Sequence, residues 1–489
     1  MAFNSAMIPK QLAWADSSGT SQNDRVPGPL HPGVQLGIGC FVLTAILLGL
    51  VLNQAWLPVV IVAGGYAAIW CVRDAFRSLL LYVFMAVAVM LQAPREGHTT
   101  ALDVLAGVVM VGVAVYWFVK VRLVEWQPFS VDRFHLLLVL YFGWTMLIGV
   151  GGMLYFNNTV NDWLREMIIQ LPLVVVPFLF VRGIKPDSRE EKYLYLFLVV
   201  AWVVLIVVNM VHFRNHVVKA FYLYQTGRAM LDPSSSILLL LVCASFAALE
   251  QRRTRLKFYV LFAALAIVAI VLAGYRTVWL TILLVAPILY WASRPAERKQ
   301  ERRFGFWLGV LGVVSLGYSM LRWRLIRLLA IGFVQRFATS SKVKTDLSLV
   351  NRYIEWRVLF RFIRASPLVG YGFGARYFDY DWLLGYSLWT GYSHNAFLYV
   401  LLKSGVIGFT ALFGAFVLLM FRALKLSRSI YLKANQRAAM RVAFALSFTM
   451  LITSMTLNAL GDRTALVWLG IVWGSVMIYN REEKRLSHL

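Results

Sequence analysis

Acidic side chains are scarce in this chain: 23 Asp and Glu stand against 48 Lys and Arg in 489 residues, a formal charge of +25. Cysteine is scarcer still, and Cys40, Cys71 and Cys243 each stand alone inside an apolar stretch. That spacing argues against a disulfide framework or a zinc module and leaves the three as core thiols. A phosphate-binding loop is also missing, because Gly370-Tyr371-Gly372-Phe373-Gly374 alternates glycines with no strand-to-helix context and no lysine-serine pair. An ATP-driven pump is therefore disfavoured, and the energy of any reaction has to come from the substrate or an ion gradient. No repeat of about 20–50 residues is present. Residues 1–33 are polar, carry Pro9, Pro27, Pro29 and Pro32, and lack an apolar core with a small-residue cleavage site. They are expected to form a disordered cytoplasmic tail.

What is abundant is apolar surface. Hydrophobic residues make up 60% of the chain, too much for one soluble core of this length to hide. Crossing the hydrocarbon layer takes about 17–25 apolar residues per helix. Candidate segments centre near 34–52, 55–71, 76–92, 101–119, 134–154, 168–182, 193–211, 235–249, 258–274, 276–292, 304–320, 396–421, 438–457 and 464–479. Some are short or closely spaced, so the fold class is an all-α integral membrane protein of about 12–14 transmembrane helices. The chain divides into the tail 1–33, a bundle over 34–320 with about 11 spans, a loop over 321–395, C-terminal spans over 396–479, and a second tail over 480–489.

The basic excess follows the connections between these segments. With the N-terminus inside, alternate loops collect Arg73 and Arg77, then Lys120, Arg122 and Arg133, then the cations of 182–192, 252–257, 294–303, 422–441 and 481–485. The intervening short loops hold only scattered cations such as Arg95, Arg165, Lys219 and Arg463. Cytoplasmic loops retain Lys and Arg, so both termini are expected in the cytoplasm and the 321–395 loop outside. The charge is thus topogenic, and no nucleic-acid partner is expected.

The long loop concentrates the chemistry. The cations of its opening run Leu321-Arg322-Trp323-Arg324-Leu325-Ile326-Arg327 suit snorkelling anchors first and an interfacial helix second. From 348 to 364 the apolar residues have helical period, Arg352, Glu355 and Arg357 ride on that helix, and Ser366-Pro367 ends it. Arg276 stands where two apolar segments meet at the outer rim, where a snorkelling cation is one reading and, since topogenic cations belong inside, a cation held for a partner is the favoured one. Guanidinium matches phosphate bidentately, so Arg276 with Arg352 would clamp a pyrophosphate. His394, between Ser393 and Asn395 just ahead of a span, offers an imidazole able to take a proton from a sugar hydroxyl near neutral pH. Asp379 and Asp381 are weak metal candidates in an aromatic setting. The aromatics around them suit sugar faces or an interface belt equally.

Three motifs together resemble the bacterial O-antigen ligase and polymerase superfamily. They are Tyr275-Arg276-Thr277-Val278-Trp279-Leu280; Arg352 with Trp356, Pro367 and Gly370-Tyr371-Gly372; and Ser393-His394-Asn395-Ala396-Phe397-Leu398 leading to Gly405-Val406-Ile407-Gly408. The resemblance covers about 260–425. It implies a GT-C-like helical fold whose partly helical periplasmic loop covers the active site. Transfer would draw on a glycan linked to undecaprenyl diphosphate, with lipid A–core or a second lipid-linked repeat unit as acceptor. It places donor pyrophosphate on Arg276 and Arg352, with Arg357 a weaker candidate, and makes His394 the general base. Asn395, Tyr275, Trp356 and Tyr392 become candidate substrate contacts. No cofactor is expected, and the partners are membrane lipids with, in some systems, a flippase and a chain-length regulator. Lys403 departs from the pattern, since the family often has an acidic residue there. A ligase is the first reading, a repeat-unit polymerase the second, and a polytopic flippase for lipid-linked sugars the remote third.

Overall fold

The computed structural model describes residues 72–90, 101–126, 132–156, 158–212, 234–273, 276–322, 347–381, 386–456 and 458–488. The helices are α1 (Ala75–Met90), α2 (Ala101–Val119), α3 (Arg133–Tyr155), α4 (Val160–Gln170), α5 (Pro172–Gly183), α6 (Arg189–His212) and α7 (Ser234–Ala247). They continue as α8 (Arg253–Ala273), α9 (Arg276–Ala292), α10 (Pro295–Arg322), α11 (Leu347–Ala365), α12 (Ala396–Ser427), α13 (Ala434–Thr453) and α14 (Arg463–Ser487). Strands β1 (Tyr377–Asp381) and β2 (Tyr386–Thr390) pair antiparallel as the only sheet among the described residues.

The chain is an all-α membrane protein. Among the described residues Val104–Val124, Arg133–Tyr155, Val160–Gly183 and Ala396–Ser427 are long and apolar enough to cross a bilayer, and Ala75–Val87, Ser236–Ala247 and Thr281–Ala292 are shorter apolar helices. The segments expected at 34–52 and 55–71, the 1–33 tail, and the interfacial run after Arg322 lie outside the described residues. The helix expected over 348–364 is α11. The hairpin after it was not anticipated, although its alternation of aromatic and polar residues is what a half-buried pleated surface takes.

Why the helices pack as they do is legible in particular residues. α5 is apolar on every side, and Leu173, Val175, Val176, Phe178 and Leu179 are all buried, as a helix without a polar face must be. It crosses α14 where Gly470 and Gly474, one turn apart, lie against Val176 and Phe180 with no room for a Cβ. Asp132 and Thr159 cap α3 and α4 by accepting from His135 N and Asp162 N. His135 itself is buried, its Nε2 2.7 Å from Val174 O, a satisfied structural histidine. Cys243 is a free, buried thiol; Cys40 and Cys71 lie outside the described residues.

Charged residues gather at two ends of the bundle. At one end, Arg182 pairs with Glu125 at 2.7 Å, Lys433 with Asp187 at 2.8 Å, and Arg422 with Glu483 at 2.5 Å. Arg441, read from sequence as a loop cation, is instead fully buried in α13, where its Nη1 lies 3.1 Å from Glu297 and 2.8 Å from Glu301 of α10. All of these arginines and lysines were assigned to one set of loops by their charge. At the other end, separated by the length of α12, Arg376 pairs with Asp162 at 2.5 Å and Lys403 with Glu166 at 2.6 Å. Residues 347–381 and 386–395 sit at this second end.

Candidate active site

α12 is not one helix but two, broken at Gly405, which adopts φ 58° and ψ −168°. A break inside a membrane helix frees backbone groups that lipid cannot satisfy, so protein must cover them. The 367–374 segment does so. Tyr371 N donates to Leu402 O at 2.9 Å and Gly372 N to Lys403 O at 2.7 Å, while Val406 N reaches Pro367 O and Ile407 N reaches Leu368 O. Trp144 Nε1 from α3 donates to Ser404 O at 3.1 Å. Gly372, at φ 77°, passes so close to α3 that a Cβ on it would stand 2.0 Å from Gly149 N. The alternating glycines are therefore a threading element between α3 and α12.

The same segment is tied from below by charge. Lys403 is fully buried, and its Nζ meets Glu166 Oε1 of α4 and the carbonyl of Ala375. The other Glu166 oxygen accepts from Gly374 N at 2.7 Å. The cation at position 403 thus meets a carboxylate supplied from another helix. Asn158 adds bonds from its side-chain amide to Tyr371 O and Phe373 O.

On this platform α11 and the start of α12 bring together Glu355 and His394. His394 Nδ1 lies 2.9 Å from Glu355 Oε2, and the His394 backbone N–H donates to Glu355 Oε1 at 2.8 Å. Tyr377 Oη of β1 is within reach of both Glu355 Oε1 at 3.0 Å and Tyr392 O at 2.7 Å. Glu355 is sealed, with 3% of its side chain exposed, whereas His394 is 41% exposed. Burial works to raise the Glu355 carboxyl, but the hydrogen bonds and charge of His394 and the hydrogen bond from Ser393 outweigh it, leaving it below the ordinary range. An ionised Glu355 accepts from Nδ1–H, which fixes the tautomer and leaves Nε2 as the basic nitrogen. Burial and the adjacent carboxylate push the Tyr377 phenol far up, so it stays a proton donor. Leu359, Ile363, Leu398 and Leu402 pack together in the small buried cluster that also holds Tyr377.

The other expected site residues fall into distinct places. Arg352 is half-buried on α11, one turn before Glu355 and on the same side of the helix. Arg357 is exposed, about 140° around the helix from Arg352. Asn395 caps α12, its Oδ1 accepting from Phe397 N and Leu398 N at 2.9 and 3.1 Å. Trp356 packs against the small core under the hairpin. Tyr392 is exposed with its ring 5.3 Å from the His394 ring, edge to face. Asp379 is buried in the hairpin. α9 begins at Arg276, but the Arg276 side chain, Tyr275 and the Asp381 side chain lie outside the described residues. Among the described residues, no three His, Cys, Asp or Glu side chains converge on one point.

Sequence reasoning placed Glu355 on a helix without giving it a role, and it passed over Glu166. The signal for Glu355 was its position one turn from Arg352. Its pairing with His394, 39 residues away, is set by the fold.

Residues 261–413 match the family model described as O-antigen ligase. The match contains Glu355, His394, Lys403 and the glycine thread, while Glu166 lies outside it. No curated protein matches the chain.

Proposed function

We propose that this chain is a glycosyltransferase of the bacterial inner membrane that moves a glycan from undecaprenyl diphosphate to an acceptor hydroxyl on the periplasmic side. The observation that carries the reading is the Glu355–His394 pair within the O-antigen ligase match. His394 Nε2 takes the proton of the acceptor hydroxyl as its oxygen bonds to the anomeric carbon. The bond from that carbon to the phosphate oxygen breaks, undecaprenyl diphosphate departs with the electron pair, and the configuration inverts. Glu355 holds the ring and stabilises the imidazolium that forms. Arg352, on the side of α11 that carries Glu355, and Arg276 receive the pyrophosphate and the charge it gains. With two guanidiniums in that role no metal is required, so chelator leaves transfer unchanged. The exposed Tyr392 ring lies beside the imidazole, where an acceptor sugar approaches.

The acceptor assigned is lipid A–core, which makes the protein an O-antigen ligase. A repeat-unit polymerase performs the same step on a second lipid-linked repeat. The test is a gel of lipopolysaccharide and undecaprenyl-linked glycan from cells lacking the gene. Bare lipid A–core with polymer accumulating on undecaprenyl diphosphate supports the ligase. Core capped by a single repeat, or loss of exopolysaccharide beside an intact lipopolysaccharide ladder, supports the polymerase. An unchanged profile overturns both.

A further inference from the structure

α11 has a second face that the transfer chemistry does not use. Tyr353, Arg357, Phe360, Arg361 and Arg364 are all exposed, and at about 100° per residue they form one stripe about 100° wide. Glu355, Leu359 and Ile363 occupy the buried face. Among the described residues, none of these three arginines has an ion-pair partner, unlike Arg376 and Lys403 nearby. Arginines alternating with tyrosine and phenylalanine are the composition of a helix lying at a headgroup boundary, where rings sit between apolar and wet and guanidiniums meet phosphate.

The position of α11 agrees. Its C-terminal end runs into the 366–370 turn, which is bonded to α12 at the Gly405 break through Pro367 O and Leu368 O. Around that junction Leu368, Val406 and Ile407 are exposed apolar side chains, which in a membrane protein face lipid. The arginine stripe therefore ends where hydrocarbon begins.

We infer that this face of α11 docks on anionic phospholipid headgroups and so fixes the height of the loop, and with it His394, above the bilayer. Arg357 then belongs to the lipid contact and not to the donor site. The inference needs only the membrane setting and stands apart from the transfer reaction.

The test uses the full chain in nanodiscs of phosphatidylcholine alone or with phosphatidylglycerol, followed by hydrogen exchange of amides 353–365. Each cation near an anionic surface adds about 1 kcal/mol, a factor of about five. Exchange is expected to slow at least about fivefold with phosphatidylglycerol, to lose that slowing in the Arg357→Gln/Arg361→Gln/Arg364→Gln variant, and to keep it in the triple Lys variant. Equal exchange in both lipids overturns the proposal, as does slowing that survives the Gln substitutions. Slowing that appears in phosphatidylcholine only on adding undecaprenyl diphosphate assigns the stripe to the donor and also overturns it.

Discussion

The two ends of the helix bundle both build charge networks, and they use them oppositely. At the end holding Arg441, guanidinium and carboxylates are sealed together between α10 and α13, with Arg441 at 0% exposure and Glu297 and Glu301 at 10% and 13%. At the end holding the loop, the carboxylate of Glu355 is sealed but the imidazole it orients is open. The first arrangement commits its ionised groups to holding helices. The second spends a buried anion to present one ring nitrogen outward. Lys403 and Glu166 belong to the loop end in space but to the first kind in design, because both partners are closed in and their work is to hold the glycine thread.

This contrast predicts a separation of activity from stability. His394→Ala removes the open group and is expected to lower glycan transfer by about 10²–10⁴-fold. Its thermal midpoint in detergent falls only by the loss of the Nδ1 contact, because the residue 394 backbone N–H and Tyr377 Oη still bond Glu355. A fall as large as that of Arg441→Met would erase the distinction between the ends. Arg441→Met does the reverse. It leaves Glu301 without its cation beside a Glu297 held only by Arg437, and breaking a buried pair in this way costs about 3–5 kcal/mol. Membrane abundance and midpoint should fall, while the surviving protein transfers glycan at the parental specific rate.

Gly372→Ala probes the thread between the two kinds. Its φ of 77° and the 2.0 Å approach of a Cβ to Gly149 N leave no accommodation without moving α3. A cost of about 1–3 kcal/mol follows from strain of this kind, and transfer should drop with it because the same segment leads into β1, whose Tyr377 bonds Glu355. Thermal denaturation and transfer rate, measured on one preparation, check both.

The smallest effect is in pH. The Glu355 carboxyl is depressed in the folded protein. Its contribution to stability is therefore complete above the unfolded value, about 4.3, and is lost as pH falls through the lower folded value. Parent and Glu355→Gln should differ in midpoint at neutral pH and converge under acid. A constant difference across that window would mean that the ionised form of Glu355 contributes nothing.

Much of the architecture was legible because lipid imposes a coarse rule on sequence. Long apolar runs such as 133–155 and 396–427 form helices there, and Arg182, Arg422 and Lys433, which charge placed in one set of loops, form their ion pairs at one end of the described bundle. His394 stood out because an imidazole flanked by Ser393 and Asn395 sits just ahead of such a run, and α11 because its apolar residues keep helical period up to Ser366-Pro367. What escaped were pairings. Nothing local marks Glu355 as the partner of His394, or Glu166 as the answer to Lys403 across 237 residues. Arg441 read as a loop cation because charge alone does not reveal that α10 supplies two carboxylates to bury it. The hairpin was hidden by brevity, since five-residue strands among aromatics carry the same composition as an interface belt.

The most direct test of the Glu355–His394 account is the transfer rate of purified Glu355→Gln protein in liposomes with an undecaprenyl-diphosphate glycan donor and a lipid A–core acceptor. The tautomer argument predicts a fall in kcat of at least about 10²-fold with donor KM little changed. Transfer at the parental kcat would contradict it and remove the oriented imidazole from the reaction.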